Sequence, residues 1–139
     1  MSEGRTNMIA ALKEVVIPHL RSIGFVGAFP HFRRSGERSI DLLTFQFNRW
    51  GGSFVVEAAS CSAGGVTLSW GKRVPANKVT AHCIGKRLRL GSSPPAKTDH
   101  WFEFEDATYG ERIFAMVAEQ VLDTLPQAEN YWRSLQNVA

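Results

Sequence analysis

The chain has 139 residues, 44% hydrophobic and 21% charged, within the range of one soluble globular domain able to bury its own core. No apolar run approaches the roughly 20 residues that cross a bilayer, and MSEGRTNMIAALKEV carries charges inside its apolar pattern, which excludes a signal-peptide core. The net charge of +3 hides an asymmetry: His31 to Lys97 hold 11 Lys or Arg against 3 acids (Glu37, Asp41, Glu57), whereas from Thr98 onward 2 basic residues (Arg112, Arg133) meet 8 acidic ones. A basic middle of this kind meets an anionic partner or is neutralised in cis by the acidic C-terminal third. Neutralisation in cis is the expected outcome, because intrachain charge pairing is common.

In chain order, Met8, Leu12, Val15, Val16, Leu20 and Ile23 recur at helical spacing, which predicts a helix from about Arg5 to Ile23. Pro18 falls inside that pattern and predicts a kink or a break into two segments. Gly24 then stops the helix in the left-handed conformation.

From Phe29 to Cys61 the spacing predicts three antiparallel strands. Gly36-Glu37 reads as a two-residue turn pairing Ser35 with Arg38, and a loop from Arg49 to Gly52 pairs Asn48 with Ser53. This register sorts Phe32, Leu43, Phe45, Phe47, Phe54, Val56 and Ala58 onto a core face. The opposite, mixed face collects His31, Arg33, Ile40, Leu42, Thr44, Gln46, Val55 and Glu57.

Further strands are predicted over Val66–Trp70, over CIGKRLRLG with Ile84, Leu88 and Leu90 opposing Arg87 and Arg89, and over DHWFEFED. GKRVPANK between the first two reads as a loop. From about Gly110 the period becomes helical through Ile113, Phe114, Val117, Val121 and Leu122, and Pro126 is expected to open a last short helix containing Tyr131, Trp132 and Leu135. The expected fold is α+β: an antiparallel meander of five to six strands, with an N-terminal helix and C-terminal helices on the phenylalanine face, forming a single domain over residues 1–139. There is no internal repeat, low-complexity tract or dividing linker.

Recognised catalytic and cofactor motifs are missing: no GxGxxG, P-loop, HExxH, nucleophile elbow or CxxC. No cofactor and no metal are expected. Cys61 and Cys83 make no disulfide framework and read as packed free thiols of a cytoplasmic protein, and His82 and Cys83 are adjacent, a poor arrangement for joint ligation on a strand. The mixed sheet face is the better candidate. It brings Thr44 opposite Glu57 with His31, Arg33 and Gln46 alongside, a set able to bind a small polar ligand or to support acid–base chemistry. Its bland counterpart is the wet face of an ordinary antiparallel sheet.

Read as an ordered set, several short motifs carry a resemblance. Leu20 is followed by Gly24-Phe25; Phe32-Arg33-Arg34 follows on a strand; Gln46 precedes a turn and Phe54-Val55-Val56; Cys83 precedes Arg89-Leu90-Gly91; and Asp99-His100-Trp101-Phe102 closes the series. Together, from about residue 8 to 135, these resemble the bacterial family known as domain of unknown function 4304. Phe102 stands where that family typically has a second tryptophan, and Glu57 with its alanines replaces a polar-glycine strand ending. The resemblance implies a compact α+β bacterial domain and brings no activity or catalytic residues. It also draws attention to Arg89 and Asp99, which flank a loop between neighbouring predicted strands and are expected to close it as a structural ion pair.

The leading functional reading is a non-catalytic binding or protein-interaction module, with a protein partner or a homodimer mate on the mixed face. An enzyme of unassigned class using His31, Arg33 and Glu57 comes second. Nucleic-acid binding through the basic middle, with Trp50 and Trp70 as stacking platforms, comes third, and is placed as unlikely because WGGSFVVEA lacks the basic start and alternating exposed aromatics of an RNA-binding sheet. No membrane association is expected.

Overall fold

The computed structural model describes residues 3–92 and 100–136. Helix α1 (Glu3–Val15) turns Met8 and Leu12 into the core, and α2 (Ile17–Ser22) follows after a break at Val16. Pro18 falls in the first turn of α2, where its missing N–H removes no helical hydrogen bond, so the proline divides the predicted helix by starting its second half. Gly24 adopts φ +99°, and the backbone bonds Phe25 N–H to Leu20 O (3.0 Å) and Gly24 N–H to Arg21 O (3.2 Å) complete a Schellman C-cap.

The sheet begins with β1 (Val26–Ala28), a short strand that sequence periodicity does not reveal, joined through Phe29-Pro30 to β2 (His31–Ser35). Then come β3 (Ser39–Phe47) and β4 (Ser53–Ser62), paired antiparallel from Ser39↔Ser62 to Phe47↔Phe54. The β3–β4 register is the expected one, with Asn48 N–H bonded to Ser53 O at 2.9 Å. The β2–β3 register differs from the expected one by two residues. Gly36 closes onto Ser39, Glu37-Arg38 form the tip, and Ser35 faces Ile40 instead of Arg38. That shift sets Arg34 opposite Asp41 and Phe32 opposite Leu43. Being even, it leaves every side chain on its predicted face.

After β4 the chain forms a separate two-stranded ribbon, β5 (Gly65–Thr67) with β6 (Arg73–Pro75), so part of the expected GKRVPANK loop is a strand. CIGKRLRLG is mostly not a strand: Cys83 ends a 3-10 turn (Ala81–Cys83), and only β7 (Leu88–Arg89) pairs with β4. The last strand, β8 (Phe102–Glu103), also pairs with β4, at Ser53–Phe54. The result is a six-stranded antiparallel sheet in the order β1-β2-β3-β4, with β7 and β8 sharing the outer edge of β4. A single helix α3 (Arg112–Gln136) follows and runs through Pro126, where a second helix was expected. One missing N–H costs about 3 kcal/mol, while burying Val117, Val121, Leu125 and Trp132 on either side returns roughly 1.5–3 kcal/mol per side chain.

The predicted phenylalanine face is the main core. Phe32, Leu43, Phe45, Phe54, Val56 and Ala58 pack against α1, α2 and α3, and Phe54 stacks on Phe102 at 5.3 Å between centroids. The opposite face supports a second, smaller core in which Ile40, Leu42 and Ala59 are roofed by Val74, Val79 and Ala81. The sheet is therefore the middle layer of three. Among the described residues no helix is long and apolar enough to cross a membrane.

Arg34 ties the helical layer to the sheet. Its guanidinium reaches Asp41 Oδ2 at 2.8 Å and Glu129 Oε1 at 2.5 Å, and lies over the rings of Phe25 and Trp132. The hydrogen bond from Arg34 holds the Glu129 carboxyl below the usual glutamate range, whereas burial pushes Asp41 up against the pull of the same arginine. Arg34→Met should lower the unfolding free energy by about 2–4 kcal/mol in urea melts, because two carboxylates lose their shared cation. Glu129 stabilises above its unfolded pKa, and that contribution disappears as pH falls through its depressed folded value; Asp41, being raised, works in the opposite direction. Glu129→Gln should accordingly lose less stability than the wild type when acidified below the ordinary glutamate range, measured by melts across a pH series.

Candidate functional site

The candidate site is a polar row that follows from strand register. His31 faces Thr44, Thr44 faces Glu57 and Glu57 faces Arg89, so four side chains cross β2, β3, β4 and β7 in line. His31 Nδ1 and Thr44 Oγ1 share a hydrogen bond of 3.0 Å. Glu57, only 7% exposed, receives Arg89 Nη2 at 3.3 Å on one carboxylate oxygen and Arg87 Nη1 at 3.5 Å on the other. The row ends in rings on both sides. His82, from the 3-10 turn, stands perpendicular to His31 at 5.4 Å, and the Arg89 guanidinium lies 5.4 Å from the Trp101 ring centroid.

Of the residues singled out in the sequence, His31, Thr44 and Glu57 are brought together. Arg33 and Gln46 share their face, Arg33 half-buried and Gln46 exposed at the end of β3. His82 and Arg87 also belong to the row, though the predicted three-strand register does not include them. Arg87 alternates with Leu88 and Leu90 in the sequence, which was the available signal; His82 gave none, since a 3-10 turn has no readable period. Asp99 lies outside the described residues, and so does the expected Arg89–Asp99 pair. The loop that this pair was to close is held at its neck by α3: Gln127 Oε1 accepts from Gly91 N–H at 2.7 Å, and Gln127 Nε2 donates to Ser92 O at 2.9 Å.

Chemically the row is inert in two places. Thr44 is 1% exposed, so its hydroxyl is closed to a substrate although a histidine touches it. The Glu57 carboxylate is committed to two guanidiniums, one on each oxygen. Burial, and next the neighbouring His82, lower the His31 pKa. Cys61 and Cys83 are free and half-buried in the second core, and burial pushes the Cys61 thiol up, away from thiolate chemistry. No three His, Cys, Asp or Glu side chains converge as metal ligands among the described residues. An open hollow of about 610 Å³ lies elsewhere, lined by Arg38, Ser39, Ser60 and Gln136.

Charge is distributed by layer. Between Glu57 and Asp99 the sequence has no acidic residue, and this stretch supplies the roof over Ile40 and Leu42. Its inward residues are Val74, Val79 and Ala81, while Lys72, Arg73, Lys78, Lys86 and Arg87 are exposed. Helix α3, with Glu119, Asp123 and Glu129, packs on the other side of the sheet. Among the described residues, the expected neutralisation of the basic middle by the acids of α3 is not seen at the roof, because the sheet stands between them. Arg34 is the member of the basic middle that reaches α3, and among the described residues Lys72, Arg73, Lys78 and Lys86 form no ion pair.

Residues 16–130 match the family model described as domain of unknown function, DUF4304. The chain belongs to this family. The DUF4304 match begins after α1 and runs from α2 into α3, so it takes in the whole polar row and the cationic roof. Neither the curated proteins nor the solved structures yield a match.

His82→Ala should raise the His31 pKa part of the way back to its ordinary value, read by imidazole NMR titration, because the second cause of its depression is removed while burial by the sheet remains.

Proposed function

We propose that this chain is a non-catalytic binding module that takes an anionic partner on the side of the sheet away from the helices. The observation that carries the reading is the layered charge: an acid-free roof with Lys72, Lys78 and Lys86 exposed and outside any ion pair among the described residues. One-sided positive charge of this kind raises the local concentration of an anion and speeds its capture. The polar row forms the margin of that surface. Glu57 holds Arg87 and Arg89 in fixed orientations, and Arg33 and Gln46 on the same face add donors to a docked ligand. His31 and Thr44 satisfy each other and position the strands. A cytoplasmic location agrees with two free thiols.

The alternatives have less behind them. An enzyme using His31, Arg33 and Glu57 needs a free carboxylate, and Glu57 is occupied. A homodimer through the mixed face needs Ile40 and Leu42 open, and the chain roofs both itself.

The protein should be retained on immobilised heparin, and a Lys72→Glu/Lys78→Glu/Lys86→Glu variant should elute at markedly lower salt with an unchanged far-UV spectrum. Coelution of the variant with the wild type would sink the reading. Sedimentation of the wild type as a monomer is expected alongside.

A further inference from the structure

Resting on the anionic-partner reading, we propose that the partner is single-stranded nucleic acid and that Trp70 is the platform on which a base stacks. Trp70 is 75% exposed in the turn between β5 and β6. Its backbone is fixed: Leu68 N–H donates to Lys72 O and Gly71 N–H to Leu68 O, both at 2.8 Å. The hairpin is anchored as well. Val74 sits in the second core against Ile40, Leu42 and Ala59, and Arg73 donates to Gly64 O at 2.5 Å and Thr67 Oγ1 at 3.3 Å, lacing the two strands together. A rooted hairpin thus presents one flat indole to solvent, beside Lys72 and Arg73 in sequence and on a layer that also exposes Lys78 and Lys86.

This combination selects among anions. Phosphates answer the cations, and a nucleobase answers the indole, since every base offers a π-face once it is unstacked. Duplex bases are already stacked, so a lone surface indole gains nothing from them. An acidic protein would use the lysines and leave the indole idle. A membrane surface would call for further apolar side chains, and among the described residues of the roof Trp70 is the one large hydrophobic residue that is strongly exposed. Trp50 provides the internal contrast. It is 83% exposed, but Arg49 covers its ring at 4.9 Å and Glu103 and Glu105 line the same hollow, a setting that repels phosphate.

The test is a fluorescence and anisotropy titration of the full chain with a short oligothymidylate. Matched duplex, polyglutamate and phosphatidylserine vesicles serve as parallel probes. The oligothymidylate should bind tightest and quench tryptophan emission, and affinity should fall steeply with salt, the log–log slope changing by about 0.7 for each phosphate contacted. Trp70→Ala should weaken oligothymidylate binding about tenfold or more, Trp70→Phe should restore much of it, and Trp50→Ala should leave it unchanged. Equal affinity of Trp70→Ala and wild type for the oligonucleotide overturns the proposal, as does preference for polyglutamate, duplex or vesicles. Heparin retention without oligothymidylate binding overturns this inference alone and leaves the anionic-partner reading standing; loss of both overturns both.

Discussion

The ladder between β3 and β4 is the constraint on which the rest of the molecule depends. Nine residues of β3, Ser39 to Phe47, run antiparallel to β4 without a bulge, so one alternation governs both strands over their shared length. Both sides of that ladder are buried. Leu43, Phe45, Phe54 and Val56 anchor the helices, and Ile40, Leu42 and Ala59 anchor the roof. A slip of β3 by one residue would drive Thr44 into the phenylalanine cluster and present Phe45 to the roof. The register is held by two cores at once, and the polar row is a by-product of it.

That dual burial explains the distribution of charge. A sheet with helices on one side and a solvated face on the other would let an acidic C-terminal helix and a basic middle segment meet at its rim. Here the basic segment is spent covering the second face, and the helix is spent covering the first. Arg34 is the exception because its strand position puts it on the helical side, where Glu129 and Asp41 divide its guanidinium between them. Lys72, Lys78 and Lys86 are left facing water by the same packing that stabilises the domain.

How much could be read in the sequence follows from where period and burial agree. The phenylalanine face, the Asn48–Ser53 turn and the Thr44–Glu57 pairing were legible because alternation over nine or ten residues admits one solution. The β2–β3 turn was misplaced because Gly36 looked like a left-handed turn residue, while the cross-strand pair Arg34–Asp41 sets the actual closure. Pro126 looked like a helix start, since the local signal carries no information about the sheet beneath that holds α3 straight through it. The roof was the least legible part. Its strands are three residues long, too short for a period, and its hydrophobic residues Val74, Val79 and Ala81 make sense only against Ile40 and Leu42, far away in the sequence. His82 entered the site through that same roof and was invisible for the same reason.

The two flanks of the sheet bear on how the molecule behaves in a crowd. One flank is β1, three residues with Gly27 at their centre, and the other is the outer side of β4, covered in two separate pieces by β7 and β8. A neighbouring chain that sought to extend the sheet would find at β1 a template too short and too poor in side chains to hold it, and along the edge of β4 carbonyls of Val56 and Gly52 that already accept from the N–H groups of Leu90 and Phe104. Long, flat, unpaired strands are the usual route by which β-rich domains zip together into insoluble ribbons. This domain keeps its one long ladder in the interior, and whatever meets it must come to a face.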